Sequence, residues 1–451
     1  MADIPRKSAN WLTPESKERL IQQALGRRLH RSGVPDARRQ AAAELKNEEI
    51  PEQFRKFDQH PGYLNLRIIN AGAERLGISS PYFKLHDGIA GVTTKIGAKD
   101  YVNYASYNYL GLSGDPRVNA AAKSAIDQYG TSVSASRPVS GERAIHRQLE
   151  RAIADTYGVD DAAVFVSGHA TNVTVIGHMF GPKDLVLHDA LIHNSVLQGI
   201  QLSGAHRLSF PHNDIAALDA MLAEQRRKFE RVLVVVEGVY SMDGDYPDLP
   251  RLVELRKRHH VFLMVDEAHS FGVMGKRGFG IREHFGLAGS DVDIWMGTLS
   301  KSLAGCGGYI AGETALVEHL KFLAPGFLYS VGMSPPVAAA ALEALNCMRK
   351  EPERVARLQQ RGMQFVNEAR ALKIDAGNST GHAVIPAITG SSAKAVRLSH
   401  ALFQRGINVQ PILYPAVPEK AARLRFFVSC EHSESQIHET VRALGEELSR
   451  L

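Results

Sequence analysis

A lysine in a turn of small residues is the first position in this sequence that could do chemistry. Lys301 lies in DIWMGTLSKSLAGCGGYIAG, residues 293–312, between two apolar segments that predict buried strands. Thr298, Ser300 and Ser302 flank it, and a glycine-rich return follows. A lysine amine kept out of water can hold a carbonyl compound as a Schiff base. Taken alone, the turn fits either such a reactive lysine or a loop lysine that covers a sheet edge.

A second chemical signal is a pair of acidic residues at the end of a predicted strand. VFLMVDEAH, residues 261–269, is an apolar run of strand length that ends in Asp266, Glu267 and His269. A carboxylate at the end of a buried strand is costly unless it meets a cation. In an enzyme that uses pyridoxal phosphate, the protonated pyridine nitrogen is that cation and a lysine holds the cofactor. The two stretches together favour pyridoxal-phosphate chemistry.

One stretch upstream has the pattern of a phosphate-binding turn. VFVSGHATN, residues 164–172, reads as a strand, a turn and the start of a helix. Backbone amides at a helix N-terminus attract phosphate, and Ser167 and Gly168 permit close approach.

Another stretch predicts a buried parallel strand with polar residues after it. RVLVVVEGVYSMDGDYPDL, residues 231–249, places Glu237 and Ser241 beyond the carboxyl end of its apolar run. Open α/β sheets build their sites beyond the carboxyl ends of their strands. Glu237 and Ser241 are therefore candidate site residues.

The composition is that of an ordinary soluble protein. The chain has 451 residues, 44% hydrophobic and 22% charged, which suits one large domain and a smaller one. A formal net charge of +5 does not call for a nucleic-acid partner. No apolar run reaches the ~18 residues of a membrane span, and the N-terminus lacks an apolar signal core. Three widely spaced cysteines fit reduced thiols. We predict a cytoplasmic protein with no membrane span and no metal site.

Changes of composition along the chain predict four regions. The first is a basic helical arm in which Thr13 could cap a helix. The arm either packs on the body or a partner subunit, or docks an acidic carrier protein. The regions are the arm at residues 1–60, an approach segment with a hairpin at 61–110, the large cofactor domain at 111–345, and a small α+β domain with a βαββα pattern at 346–451.

Two motifs in the expected order resemble a known family. VDEAHSFGVMGKRGFG at residues 265–280 and GTLSKSLAGCGG at 297–308 resemble the α-oxoamine synthases, which are fold-type I pyridoxal-phosphate enzymes. The resemblance runs from about Tyr63 to the C-terminus. It implies an α/β fold, with a mostly parallel sheet between helices in the large domain and a smaller α+β domain after it. It also implies pyridoxal phosphate as cofactor and a homodimer with active sites at the interface.

The resemblance implies roles for the candidate residues. Lys301 would hold the cofactor and remove the α-proton of an amino acid, while Asp266 would keep the pyridine nitrogen protonated. His193 would stack on the pyridine ring, and His269 would bond the phenolic oxygen of the cofactor. The remaining positions that match cofactor contacts of the family are Ser167, Gly168, His169, Glu237, Ser241, Thr298 and, reaching across the dimer interface, Ser330.

Three further positions match contacts to the substrate amino acid in the family. They are Asn108 in SYNYLGLS, Ser136 in the small-residue block GTSVSASRPVSG, and Arg425 in RLRFFVSCEHS. A planar guanidinium suits a planar carboxylate, so Arg425 is the expected carboxylate ligand. The neighbouring Arg423 is expected on the surface, and His188 is assigned to structure because it ends a strand.

The activity that the resemblance implies is a decarboxylative Claisen condensation. A small amino acid would react with an acyl thioester of coenzyme A or of an acyl-carrier protein, giving an α-amino ketone, CO2 and a free thiol. One alternative in the same family is 8-amino-7-oxononanoate synthase, which uses alanine. An alternative from another class is a pyridoxal-phosphate-binding transcription regulator, whose basic arm would bind DNA while the body senses an amino acid.

Overall fold

The computed structural model describes residues 50–75 and 80–451. The chain divides after residue 79 into two compact units. The helix predicted near Thr13 lies outside the described residues. The division into four regions stays a prediction.

The described part of the first unit is helical. Two single turns of 3-10 helix, Glu52–Phe54 and Phe57–Gln59, precede helix α1, Pro61–Arg75. Proline is favoured in the first turn of a helix because the amide hydrogen that it lacks would have no partner there.

The second unit alternates strands and helices. Its strands are β1 Thr93–Ile96, β2 Lys99–Asn103, β3 Asp161–Phe165, β4 Leu185–Asp189, β5 His206–Phe210, β6 Val232–Glu237, β7 Phe262–Asp266, β8 Ile294–Thr298, β9 Gly308–Gly312, β10 Val384–Ile388, β11 Ile407–Asn408, β12 Gln410–Ile412 and β13 Arg423–Phe427. Its α-helices are α2 Pro116–Tyr129, α3 Ala144–Tyr157, α4 Gly168–Met179, α5 Asn194–Ser203, α6 Ile215–Gln225, α7 Leu249–His259, α8 Gly280–Phe285, α9 Thr314–Leu323, α10 Pro325–Leu328, α11 Pro335–Lys350, α12 Pro352–Ala371, α13 Ser392–Gln404 and α14 Glu434–Leu448. Shorter helical turns lie at Arg137–Gly141, Arg226–Lys228, Gly289–Asp291 and Glu419–Ala421.

Several of these helices begin where a short polar side chain can accept a hydrogen bond from the first turn. Such N-caps are favoured because the first amides of a helix have no partner within the helix. The capping residues include Asp115, Ser167, Asp214, Asp248 and Ser433.

A seven-stranded sheet forms the centre of the second unit. Its strand order is β3-β9-β8-β7-β6-β4-β5. The pairs β8 with β7, β7 with β6, β6 with β4 and β4 with β5 are parallel, while β9 runs antiparallel to both of its neighbours. The prediction of a mostly parallel sheet is therefore confirmed.

Both faces of this sheet are buried. In β6, Val232, Val234 and Val236 belong to one hydrophobic cluster, whereas Leu233 and Val235 belong to a second. Successive side chains of a strand point to opposite faces, so the sheet lies between two apolar layers. This explains why β6 reads as a continuous apolar run, and it confirms the prediction of a sheet between helices.

Two smaller sheets accompany the large one. Strand β13 lies between β10 and β12 in an antiparallel sheet, and β2 lies between β1 and β11. The predicted hairpin is confirmed, with Ile96 opposite Lys99 at its bend. The segment 407–412 is divided between these two sheets: β11 pairs with β2 and β12 pairs with β13. The segment thus ties the hairpin to the C-terminal sheet.

No helix within the described ranges has both the length and the apolar character needed to cross a bilayer.

The central sheet should be sensitive to loss of core volume. Leu263 in β7 is fully buried, three residues before Asp266. Leu263→Ala should lower the free energy of unfolding by about 2–5 kcal/mol, because it removes buried methyl groups and leaves a cavity. Urea unfolding followed by circular dichroism measures the change. The matched control is Leu372→Ala at a half-exposed position, and an equal loss in both variants would contradict the prediction.

Candidate active site

The site lies at the carboxyl ends of three adjacent parallel strands. Glu237 ends β6, Asp266 ends β7 and Thr298 ends β8, and Glu237 stands directly opposite Asp266 in the strand register. Lys301 follows three residues after Thr298. The parallel topology therefore gathers the carboxyl groups and the lysine at one edge of the sheet.

A cleft of about 90 Å³ forms at this edge. Its lining contains eight of the predicted cofactor contacts together with four residues that were not predicted. The lining residues are Gly168, His169, Asn172, His193, Ser195, Glu237, Asp266, Ala268, His269, Met296, Thr298 and Lys301.

The amine of Lys301 is kept largely out of water. Burial lowers its pKa from 10.5 to about 8, although the charges of Asp266 and Glu237 act in the opposite direction. Its Nζ lies 5.6 Å from the centre of the Tyr107 ring. A lysine with a pKa near 8 has an appreciable neutral fraction at physiological pH, so it can act as a nucleophile or a base.

The Asp266 carboxylate is held by neutral donors. Its Oδ2 accepts a hydrogen bond from Asn172 Nδ2 at 2.9 Å, and its Oδ1 accepts one from the Ala268 amide at 3.0 Å. Both contacts orient the carboxylate without neutralising it. It therefore remains available to a cation in the cleft.

A hydrogen-bonded chain leads from Asp266 to His193. Asn172 Nδ2 also donates to Ser195 Oγ at 2.9 Å, and that hydroxyl lies 2.7 Å from His193 Nδ1. The Ser195 amide donates to the same nitrogen at 3.3 Å. Because Nδ1 accepts these bonds, the ring proton is on Nε2. Burial lowers the pKa of His193, so the ring is neutral.

His269 is a second neutral histidine of the cleft. Its Nδ1 is 2.8 Å from the Tyr109 hydroxyl, and its ring is nearly parallel to that of Phe427. Burial, assisted by the charges of Lys301 and Arg425, lowers its pKa well below the ordinary value. Tyr109 and Phe427 therefore hold an uncharged imidazole in a fixed orientation.

Glu237 is buried beside the carboxylate of Asp266. Burial and then the nearby negative charge raise its pKa well above the ordinary value. Its Oε2 accepts a hydrogen bond from the Ser241 amide at 3.2 Å. Its Oε1 has no hydrogen-bond partner among the described residues. A buried polar atom without a partner is costly, which indicates that a ligand completes the site.

Arg425 carries positive charge to the same site. Its Nη1 donates to the Ser241 carbonyl at 3.0 Å, while its Nε forms no hydrogen bond within the described chain. Burial lowers its pKa, and its charge acts on Lys301 and His269. The expectation of a surface Arg423 is wrong. That side chain is buried and bonds the Met242 carbonyl and Asp243 Oδ1, because its place on β13 faces the turn after β6.

Asn108 lies elsewhere, in a larger cleft of about 480 Å³ that also reaches Lys301. Its Nδ2 donates to the carbonyls of Ala90 and Ser113, and its Oδ1 accepts from the Ser113 amide. The side chain thus closes a turn. Its role in substrate binding stays a prediction, and the neighbouring Tyr107 is the residue of this segment that faces Lys301.

Five of the predicted residues lie outside the lining of both clefts: Ser136, Ser167, Ser241, Ser330 and Arg425. Ser167 caps α4 by accepting a hydrogen bond from the Ala170 amide. Ser136 pairs with Val331 in an isolated β-bridge, which brings the block of Ser136 beside the loop of Ser330. Their predicted contacts to cofactor or substrate remain predictions. Ser241 contributes through its backbone, as described above.

Three residues that were not predicted from the sequence form hydrogen bonds with predicted site residues. Asn172 and Ser195 orient Asp266 and His193, and Tyr109 orients His269. The sequence could have indicated Asn172, because it lies one helical turn after Gly168 and therefore on the same face of the predicted helix. No sequence spacing could have joined Tyr109 to His269, because 160 positions separate them.

Comparison with known proteins places the chain in a family. The family model described as aminotransferase class I and II matches residues 99–444. The 8-amino-7-oxononanoate synthase of Fervidobacterium nodosum is 38% identical, over 83% of this chain and 95% of that protein. The 8-amino-7-oxononanoate synthase of Symbiobacterium thermophilum is 40% identical, over 78% of this chain and 89% of that protein.

Solved structures give the same result. The serine palmitoyltransferase of Sphingomonas wittichii aligns with a TM-score of 0.82 at 29% identity, covering 86% of this chain and 97% of that one. The serine palmitoyltransferase of S. paucimobilis, solved with a bound PLP-myriocin aldimine, aligns with a TM-score of 0.82 at 28% identity, covering 86% and 98%. The predicted fold-type I architecture is confirmed. The chain belongs to the aminotransferase class I and II family and, within it, to the α-oxoamine synthases.

Proposed function

We propose that this chain is a pyridoxal-phosphate-dependent acyltransferase. It condenses a small amino acid with an acyl thioester, and the products are an α-amino ketone, CO2 and a free thiol. The observation that carries the proposal is the amine of Lys301, with its lowered pKa, in a cleft shared with Asp266, His193 and His269.

The residues of the cleft fit pyridoxal phosphate. When bound, the cofactor supplies an electron-accepting ring that stabilises negative charge on the amino-acid α-carbon. Asp266 faces the cleft as an anion for a ring nitrogen that carries a proton, and Lys301 offers the amine for its aldehyde. The N-terminus of α4 offers amides to a phosphate, and a Cβ on Gly168 would come 3.0 Å from Thr298 Oγ1. A larger residue at 168 would therefore narrow the cleft.

Each remaining residue has a distinct task in this proposal. Arg425 binds the carboxylate of the amino acid, because its guanidinium is charged and its Nε has bonding capacity left. Lys301 Nζ accepts the α-proton once the amino acid is in place. His193 keeps its proton on Nε2 and presents an uncharged ring face. His269 donates from Nε2 if Nδ1 accepts from Tyr109.

The larger cleft provides room for the acyl thioester. It is lined by His86, Gly88, Ile89, Ala90, Thr94, Asn103, Ala105, Ser106, Tyr107, Asn108, Ser113, Ser300, Lys301, Ala304, Gly305 and Gln410. Both clefts include Lys301, so an acyl group held in the larger one meets the amino acid at the lysine. Coenzyme A and an acyl-carrier protein are both compatible carriers.

The proposal includes a homodimer. Tyr329 and Val331 flank Ser330 and are substantially exposed, although both are apolar. A second copy of the chain would cover this loop and bring Ser330 to the cofactor phosphate of the other subunit. The predicted contact of Ser330 rests on that arrangement.

A second candidate is 8-amino-7-oxononanoate synthase with alanine as its amino acid. It is favoured because two relatives, 38% and 40% identical to this chain, are 8-amino-7-oxononanoate synthases. The structural similarity to serine palmitoyltransferases, at 28–29% identity, favours serine and a long acyl chain. The two candidates share the chemistry and differ in the substrates.

Titration of the holoenzyme with amino acids tests the function. Glycine, alanine and serine are added in turn, followed by acyl thioesters of coenzyme A and of a carrier protein. We expect one amino acid to shift the visible band of the cofactor and the thioester then to release free thiol. Product mass identifies the acyl group. A band that no amino acid changes would contradict the proposal.

The variant Lys301→Ala tests the two roles proposed for this lysine, as the amine that holds the cofactor and as the base. The variant should lose turnover entirely, because it lacks both the amine that holds the cofactor and the base. The control is Lys183→Ala, which removes an exposed lysine paired with Glu230 and should leave turnover unchanged. Turnover by Lys301→Ala near the wild-type rate would contradict the assignment.

Arg425→Gln should weaken binding of the amino acid. Loss of a hydrogen bond to a charged group costs about 1.5–3 kcal/mol, which raises the dissociation constant about 10–150-fold. Binding is measured from the shift of the visible band, and the cofactor content should stay at the wild-type level. Arg442→Gln, at an exposed arginine paired with Glu446, is the control. Equal affinities in wild type and Arg425→Gln would refute the carboxylate role.

Loading of the cofactor should depend on pH through Lys301. Only the neutral amine attacks an aldehyde, so the loading rate of the cofactor-free chain should rise with pH to a plateau, with a midpoint near 8. Borohydride trapping followed by mass measurement gives the rate. Asp266→Asn should lower the midpoint, because the charge of Asp266 raises the Lys301 pKa. A midpoint near 10.5, the ordinary lysine value, would contradict the prediction.

A further inference from the structure

A histidine outside the cleft connects two buried aspartates. His212 follows β5, and its Nδ1 lies 2.9 Å from Asp189 Oδ1 while its Nε2 lies 2.9 Å from Asp245 Oδ2. Asp189 ends β4 and is fully buried, and Asp245 is nearly so. Carboxylates only accept hydrogen bonds, so both ring nitrogens donate and the ring is a cation. Although burial opposes the charge, the two aspartates raise the pKa of His212 to about 10.

Neighbouring residues keep this ring in place. Tyr240 lies edge-on to His212, with the ring centres 4.5 Å apart. The Asn213 amide donates to Asp189 Oδ2 at 2.9 Å, and Asn213 has a left-handed φ of 54°. Asn213 Nδ2 is also 3.4 Å from Asp245 Oδ2. Each contact restrains the imidazolium between the end of β4 and the segment after β6.

Asp245 closes the turn at residues 240–245. The Tyr240 amide donates to the Asp245 carbonyl at 2.9 Å, and the Gly244 amide donates to the Tyr240 carbonyl at 2.8 Å. Gly244 has a φ of 72°, and a Cβ there would come 2.0 Å from the Val384 carbonyl oxygen. The turn is therefore tight, and its far side packs against the backbone of β10.

The same turn carries the contacts of the arginine that binds the carboxylate. The Ser241 carbonyl accepts from Arg425 Nη1 at 3.0 Å, and Met242 Sδ lies 3.2 Å from that nitrogen. The adjacent Asp243 pairs with Arg423 at 2.7 Å. A displacement of the turn would therefore displace Arg425, although His212 touches neither arginine in the contacts that the structure describes.

We propose that His212 is a positioning residue for amino-acid binding: its imidazolium joins Asp189 to Asp245, holds the turn at residues 240–245, and so places the Arg425 guanidinium. The inference rests on the proposed function, in which Arg425 binds the substrate carboxylate. Without the cation, the two buried carboxylates would lose the donor that they share, and their negative charges would be uncompensated. The turn would then shift or open to admit water.

The test is His212→Gln in the holoenzyme. A glutamine amide donates but carries no charge, so it cannot serve both carboxylates as the imidazolium does. We expect at least a tenfold rise in the dissociation constant and KM of the amino acid. Cofactor affinity and kcat at saturating amino acid should stay within about threefold. This split between binding and turnover distinguishes a positioning role from general damage to the fold.

Two variants act as controls. His259→Gln removes a histidine that bonds a single carboxylate, Asp219, at 2.6 Å, and it should leave all four quantities unchanged. His212→Gln combined with Asp245→Asn removes one of the two uncompensated charges and should recover part of the lost affinity. If His212→Gln does not fold, Asp245→Asn alone, which keeps the ring between an amide and Asp189, should raise the amino-acid KM by a smaller factor.

The outcomes separate the inference from the proposed function. Unchanged amino-acid affinity in His212→Gln, or equal losses of amino-acid and cofactor affinity, would overturn the role of His212. No recovery in the double variant would also count against it. If the wild-type holoenzyme itself fails to respond to any amino acid, the proposed function fails, and that result is visible before any variant is made.

Discussion

The buried carboxylate of Asp266 is the constraint on which the site depends. It accepts hydrogen bonds from Asn172 and the Ala268 amide, two neutral donors that orient it without supplying a counter-charge. That charge raises the pKa of Glu237 beside it and opposes the lowering of the Lys301 pKa by burial. A buried anion of this kind is stable only with a cation close by. In the proposed function, the protonated ring of the cofactor is that cation.

The histidines and hydroxyl groups near the Asp266 carboxylate are uncharged, which leaves that carboxylate free for a cation in the cleft. His193 and His269 both have lowered pKa values, and the hydroxyls of Ser195 and Tyr109 contact their Nδ1 atoms. An imidazolium in either place would compete with the cofactor for Asp266. Arg425, on the C-terminal sheet, brings positive charge to the site instead, and it donates a hydrogen bond to the Ser241 carbonyl in the turn after β6. In the proposed function, the negative charge of Asp266 serves the cofactor and the positive charge of Arg425 serves the substrate.

Much of the fold and the centre of the site could be predicted from local patterns. Continuous apolar runs predicted buried parallel strands, and β6 and β7 have this form because apolar layers cover both faces of the sheet. Lys301 and Asp266 were found because each follows such a run. Asn108 shows the limit of this reasoning. Its side chain closes a turn by bonding the Ala90 carbonyl and the Ser113 amide, and the spacing of residues in the sequence did not predict these contacts.

The sequence by itself determined the strands, the helices and the residue types that end them, because these follow from local periodicity and capping. It also determined the family, because the motifs around Asp266 and Lys301 stand in order along the chain. Tertiary structure alone decided which distant residues meet: Tyr109 with His269, Arg423 with Asp243, and His212 with Asp189 and Asp245. Burial and charge at those meeting points set the protonation states, and neither can be read from composition or spacing.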